Sequence, residues 1–206
     1  MEKLLKVGAV ATCLVGLILC CWAGCMVKTP APDSYVPYTA KDGSFQCDRP
    51  DGWTPNEGKN PRHNAFSLGN AEIRIEVSPL DALHLDQTAD KNATTNNSPP
   101  DVEKPAAPRS LAAQAHEAKR KIFNDFKVEY DERDPTVVQT GLGDACRSEF
   151  TASDRLIGPV HGYRVTVPVG DQYVHVVCAC PESDWPTLRP AFNHVIASLR
   201  PAKNVD

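Results

Sequence analysis

Four cysteines, Cys47, Cys146, Cys178 and Cys180, and six scattered histidines are the side chains beyond the N-terminal segment with the most chemistry to offer. In a chain that leaves the cytoplasm, an even number of thiols points to disulfides. Cys178 and Cys180 stand two apart on one candidate strand and would not normally bridge each other. Each therefore looks to Cys47 or Cys146 for a partner, in a connectivity that spacing alone does not reveal. Alternation sets Cys47 with Phe45, Cys146 with Phe150, and Cys178 and Cys180 with Val174 and Val176, so all four are expected on the apolar side of their strands. Buried free thiols are the alternative. A zinc site wants cysteine pairs on turns with two to four residues between them. A thioredoxin-like redox site wants Cys-x-x-Cys at a helix start. Cys-x-Cys on a strand matches neither. His161 and His175 lie across a candidate hairpin, where they would form half a metal site or simply occupy the sheet surface.

No Gly-x-Ser-x-Gly, His-Glu-x-x-His or phosphate-loop pattern occurs, and Asp and Glu are spread without a paired-carboxylate signature. The expectation is a protein without catalytic residues, metal or cofactor. The net charge of -4 argues against nucleic acid, whose phosphates demand a basic patch. Lys119-Arg120-Lys121 is flanked by Glu117 and Asp125 and reads as a solvated helix face.

The N-terminus carries the strongest signal. Lys3 and Lys6 precede a stretch, residues 7–27, with no charged side chain and many Val, Leu, Ile and Ala. That is the layout of an export signal. It ends in Trp22-Ala23-Gly24-Cys25, which resembles a bacterial lipobox, where a small residue precedes the cysteine that becomes the lipidated first residue of the mature chain. Trp22 departs from the usual Leu. An uncleaved membrane helix is the other reading, since about 20 apolar residues span a bilayer. Both put the remainder outside the cytoplasm. Cys25 is thus the candidate lipidation site, with the membrane as partner through acyl chains such as palmitate, more than one being needed for stable attachment.

The elements that must position the other residues follow along the chain. Residues 26–40 hold three prolines and read as a tether; residues 41–201 form the domain. A strand is expected over 43–47, stopped by a turn at Pro50-Asp51-Gly52-Trp53. Over 71–80, Ile73, Ile75 and Val77 alternate with Glu72, Arg74 and Glu76, giving one buried and one charged face. Residues 81–109 are polar and Asn-, Thr- and Pro-rich and read as a disordered insertion. Ser110 caps a helix expected to run to about 128, with Leu111, Ala115, Ala118, Ile122 and Phe126 inward. Strands over 137–140 and 145–151 flank a glycine turn, and 160–168 with 172–180 form a hairpin turning at Gly170-Asp171. A last helix starts at Ser183 or Asp184 and ends near Leu199. Two helices and an antiparallel sheet make an α+β sandwich.

Asp42-Gly43-Ser44-Phe45 with Pro50-x-Gly52-Trp53, and Tyr173-Val174-His175-Val176-Val177 followed by Trp185, Phe192 and Ala197-Ser198-Leu199, resemble the PsbP-like family over about residues 38–201. That family comprises extrinsic subunits of the photosynthetic oxygen-evolving complex and related bacterial lipoproteins. The resemblance implies an antiparallel sheet flanked by helices, an α/β/α sandwich, and implies binding rather than catalysis. The expectation is therefore an extracytoplasmic lipoprotein of the cell envelope with a non-catalytic, protein-binding or complex-stabilising domain. The rivals are a metal- or thiol-dependent activity at His161, His175, Cys178 and Cys180, and a small-molecule carrier.

Overall fold

The computed structural model describes residues 28–57, 59–83, 85, 110–124, 129–154 and 156–202. The segment expected to be an export signal, Cys25 and most of the expected 81–109 insertion lie outside them. In chain order the elements are strands β1 (Tyr35–Thr39), β2 (Gln46–Pro50), β3 (Thr54–Glu57), β4 (His63–Leu68) and β5 (Ala71–Pro79), then helix α1 (Leu111–Asn124). Strands β6 (Tyr130–Glu132), β7 (Thr136–Thr140), β8 (Gly143–Asp154), β9 (Gly158–Val169) and β10 (Gln172–Pro181) follow, and helix α2 (Trp185–Ala197) ends the series. The main sheet has the order β3-β4-β5-β10-β9-β8-β6, with β7 also paired to β8, and every pairing is antiparallel.

The alternation in β5 sorts the two faces. Ala71, Ile73, Ile75 and Val77 are buried with Phe66, Val165, Val167, Val174 and Val176 against Leu188, Phe192, Val195 and Ile196 of α2. The side chains that carried the family resemblance meet in this core. Trp53 meets Phe192 edge-on at 6.2 Å, and Trp185 lies 6.1 Å from Phe192. Such aromatic contacts add to the stabilisation from buried area. The β1–β2 ribbon closes beside α2, where the backbones of Gln46 and Arg200 exchange hydrogen bonds of 2.8 and 2.9 Å. Helix α1 covers the opposite face of the sheet, and Leu83, Ala115 and Tyr173 form a small apolar cluster there.

Several sequence-based boundaries move. The expected tether ends early. The amide of Thr29 donates to Asp184 Oδ2 at 3.1 Å, Thr29 is buried, and Tyr35–Thr39 is a strand of the domain because its residues pair with β2 from Tyr35↔Pro50 to Thr39↔Gln46. The strand expected over 43–47 begins only at Gln46. Asp42 Oδ1 accepts from the amide and hydroxyl of Ser44, and Gly43 at φ +71° completes the turn before Phe45. The start of the 81–109 insertion is ordered, since residues Leu80–Leu83 form a 3-10 turn that buries Leu83. Helix α1 is capped by Ser110 as expected, its Oγ accepting from the Ala113 amide at 3.2 Å. It is rolled relative to the expected face: Leu111 is 44% exposed, whereas Ala112, Ala115 and His116 point inward. The sheet beneath it is polar, so the helix presents hydrogen-bonding groups to it. Helix α2 runs from Trp185 through Pro190 without interruption, starting within two residues of the expected Ser183 or Asp184.

Candidate functional site: a sealed polar cluster and an open crevice

Beneath α1, alternate residues of β8, β9 and β10 direct Ser148, Arg164, Thr166 and His175 into a layer that a soluble domain would usually fill with apolar groups. Helix α1 adds His116, and β6 adds Glu132. The hydrogen bonds can all be satisfied in one direction. Ser148 donates to Glu132 Oε1, His116 Nε2 lies 2.9 Å from Ser148 Oγ, Thr166 Oγ1 lies 3.0 Å from His116 Nδ1, and His175 Nδ1 lies 3.2 Å from Thr166 Oγ1. With both rings neutral, each nitrogen facing a hydroxyl has a complementary role, and of the four ring nitrogens His175 Nε2 has no hydrogen-bond partner.

The rest of the cluster centres on Glu132. Arg164 Nε donates to Oε1 at 2.8 Å, Tyr130 Oη donates to Oε2 at 2.7 Å, and Arg120 Nε stands 3.2 Å from Oε2. Burial by itself would push the Glu132 carboxyl up. Hydrogen bonds from His116 and Ser148, the Arg164 charge and the Tyr130 hydroxyl outweigh it and hold the carboxyl far below the usual carboxylate range. Burial holds His116 below its ordinary value, with the Arg164 charge assisting and Glu132 opposing. Burial likewise pushes His175 well below its ordinary value, reinforced by Arg164, Lys119 and His116.

Serine, histidine and glutamate side by side resemble hydrolase machinery, but the roles do not fit. A nucleophilic serine needs substrate access and a histidine whose second nitrogen is oriented by an acid. Ser148 is 2% exposed, its own hydroxyl is bound to the glutamate, and the second nitrogen of His116 faces a threonine. The cluster holds α1 to the sheet and offers no reacting atom to a substrate.

The second feature lies on the other face, at the β6–β8 margin. Asp131, Arg133, Glu149, Phe150, Thr151 and His161 line a crevice of about 180 Å³. His161 stacks on Trp185 with ring centroids 4.0 Å apart and planes 8° apart. Its Nε2 lies 2.9 Å from Glu149 Oε1, and its Nδ1 lies 2.9 Å from Glu182 Oε2. Glu149 is shared with Arg133 at 2.8 Å. Both ring nitrogens are thereby engaged by carboxylates. Small-ligand pockets commonly enclose about 300–1,000 Å³, so this crevice suits a protruding side chain better than a buried small molecule.

The candidate residues separate accordingly. His161 pairs with Cys180 and His175 with Thr166 across β9–β10, an odd offset that places the two histidines on opposite faces. They do not form half a metal site, and among the described residues no group of three or more His, Cys, Asp or Glu is placed to hold a metal ion. The metal reading of His161, His175, Cys178 and Cys180 is thereby corrected. Among the described residues no bridge joins the thiols for which disulfides were expected. Cys47, Cys146, Cys178 and Cys180 are free buried thiols. Cys47, Cys178 and Cys180 belong to the apolar core beneath α2. Cys146 follows the core residue Ala145 and so points to the α1 side, beside Arg164 and Glu132, out of reach of Cys178 and Cys180. Burial, with the Asp48 charge, pushes the Cys47 thiol up to about 12. Burial with Asp184 and Glu182 does the same for Cys180, to about 12. Thiols so held are poor nucleophiles.

Sequence reasoning missed Glu132, Ser148, Arg164, Thr166 and Glu149. The signal for Arg164 and Thr166 was present, as polar residues interleaved with Tyr163, Val165 and Val167. The charged run around Glu132 carried none.

An antiparallel sheet covered by one helix on a polar face, and by a second helix with a two-stranded ribbon on an apolar face, defines the class as an α+β sandwich of PsbP-like fold. A solved structure that shows it is cyanobacterial PsbP (CyanoP) from Synechocystis sp. PCC 6803, with a TM-score of 0.52 at 13% identity, covering 85% of this chain and 95% of that one. A likeness at that identity establishes the fold alone. A protein from Bacteroides thetaiotaomicron reaches a TM-score of 0.48 at 12% identity over 82% of this chain and 49% of its own. LpqN of Mycobacterium tuberculosis, involved in cell envelope biogenesis, reaches 0.43 at 11% over 81% and 90%. No protein-family model matches the chain, and no curated protein matches it in sequence.

Proposed function

We propose that this protein is exported, held at the cell envelope by a lipid on Cys25, and binds a partner protein or stabilises an envelope complex without doing chemistry of its own. The observation that carries the non-catalytic reading is the sealing of Ser148, His116 and Glu132 beneath α1, with their side chains hydrogen-bonded to one another and to their neighbours. Polar groups committed in this way hold a fold together and are not available to a substrate. The membrane reading rests on the N-terminal layout, with its uncharged stretch ending in Ala23-Gly24-Cys25. The accessible charges of Arg133 and Asp131 beside Glu149 and His161 provide a polar, concave contact for a partner side chain.

Two measurements test the reading together. The intact mass of protein extracted from its own membrane should begin at Cys25 and carry acyl groups. Affinity capture from crosslinked cells should return the same partner repeatedly, and should lose it with Arg133→Glu. A mass without acyl groups overturns the anchor, and capture of background alone overturns the binding role.

A further inference from the structure

The chain enters the domain at one end of the sheet. Thr29 is fixed there by Asp184, just past the end of β10, and rests against Gly69 in the β4–β5 turn. Four residue steps separate Cys25 from Thr29, a reach of at most about 14 Å. A chain tied to a bilayer at Cys25 therefore holds this end of the sheet at the membrane surface.

The β8–β9 hairpin projects from the same end. Pro181, the last residue of β10, lies opposite Val160, and the hairpin continues beyond it to the pair Asp154↔Gly158. At roughly 3.4 Å per residue the tip extends about 10 Å past β10. A tight tip of this kind calls for small or polar residues, and Gly158 at φ +77° supplies the turn conformation. Yet Leu156 and Ile157 occupy the tip, and Leu156 is 94% exposed, the most exposed large apolar side chain among the described residues. A single exposed leucine on a flat surface needs no explanation. Two adjacent apolar residues on a protrusion, at the end where the anchor enters, place apolar area where a bilayer would be.

We propose that Leu156 and Ile157 form a second membrane contact, seated in the headgroup region of the bilayer that holds the N-terminus. This rests on the membrane-held reading above. It extends that reading by fixing the orientation of the domain, with the β8–β9 tip down, α1 and α2 on either flank, and the crevice at His161 close to the surface. One acyl chain binds a bilayer only marginally, and a second contact converts a loosely tethered domain into an oriented one. Asp131 and Glu182, exposed at this end, disfavour an anionic surface, so the contact suits zwitterionic lipid.

The test uses the full chain, extracted in its membrane-held form and reconstituted into phosphatidylcholine vesicles that contain a spin-labelled lipid. An environment-sensitive fluorescent amino acid replaces Leu156 or, as control, Val137, which is also exposed but lies on β7, paired with the opposite end of β8. Neither side chain is buried, so both proteins are expected to fold, and their thermal melts check this. Fluorescence should be lost to the spin label at 156 and retained at 137. Unquenched emission at both positions overturns the proposal. The intact mass of the same sample reports separately on Cys25. Were the chain held by its uncleaved apolar segment, the lipid on Cys25 would be refuted, and quenching at 156 would still decide whether the tip meets the bilayer.

Discussion

Arg164 Nε donates to Glu132 Oε1 at 2.8 Å, and the two side chains are 0% and 1% exposed, a full ion pair sealed beneath a helix. Water cannot stabilise either charge there, so each depends on the other and on the hydroxyls around them. Arg164 also donates from Nη1 to the backbone carbonyl of His116 at 2.8 Å, which ties the pair directly to α1.

Breaking that pair from one side should be severe. Glu132→Ala strands a buried guanidinium and is expected to remove about 3–5 kcal/mol of stability, read as a shift in the denaturant midpoint. The double variant Glu132→Leu with Arg164→Met should recover much of the loss. If the double variant is no better than the single one, the penalty is lost packing and not an unpaired charge.

Acid should destabilise the protein, and the sign follows from the direction of three shifts. His116 and His175 are held below their ordinary value of 6.5, so the unfolded chain binds protons first, and stability falls as the pH drops below that value. Glu132 is held below 4.5, so its contribution is present above that value and is lost on further acidification. Thermal midpoints should decline from pH 7 downward. His175→Asn should flatten the first part of the decline, and an unchanged slope would show that His175 takes no part.

Gly162 is required for lack of space. A Cβ there would press into the carbonyl oxygen of Cys178 and stand 2.6 Å from the Phe150 ring. Gly162→Ala should cost about 1–3 kcal/mol through overpacking, measured by urea unfolding. Gly170→Ala offers a contrast, since its Cβ meets nothing within 4 Å and its burden is the positive φ of +60° alone.

The thiols should be unreactive while the domain is folded. Cys47 and Cys180 are pushed up to about 12 and are buried, so alkylation at neutral pH should be slow for the native protein and rapid in denaturant. The four cysteines of the domain should all be modified after denaturation without a reductant. Protection that persists until a reductant is added would mean that disulfides form.

Much of the architecture was legible because it follows from local period. Alternation in 71–80 marked β5 and its two faces, the hairpin turn at Gly170-Asp171 was marked by its residues, and Ser110 announced the start of α1. Strands β3, β4 and β6 were not legible. Thr54-Pro55-Asn56-Glu57 and Tyr130-Asp131-Glu132 are polar, and such segments become strands only when a neighbour supplies the ladder.

By itself the sequence determined the periodic elements, the class of fold and the N-terminal layout, since all three are written in neighbouring residues. Only the tertiary structure decided that Glu132, remote in sequence from Ser148 and Arg164, meets both beneath α1. It also decided that His161 and His175 face opposite ways, that Cys146 is apart from Cys178 and Cys180, and that Leu156 shares an end of the sheet with Thr29. Each of these depends on the register between strands distant in the chain. Shifting a register by one residue exchanges the two faces of a strand while leaving its own alternation unchanged.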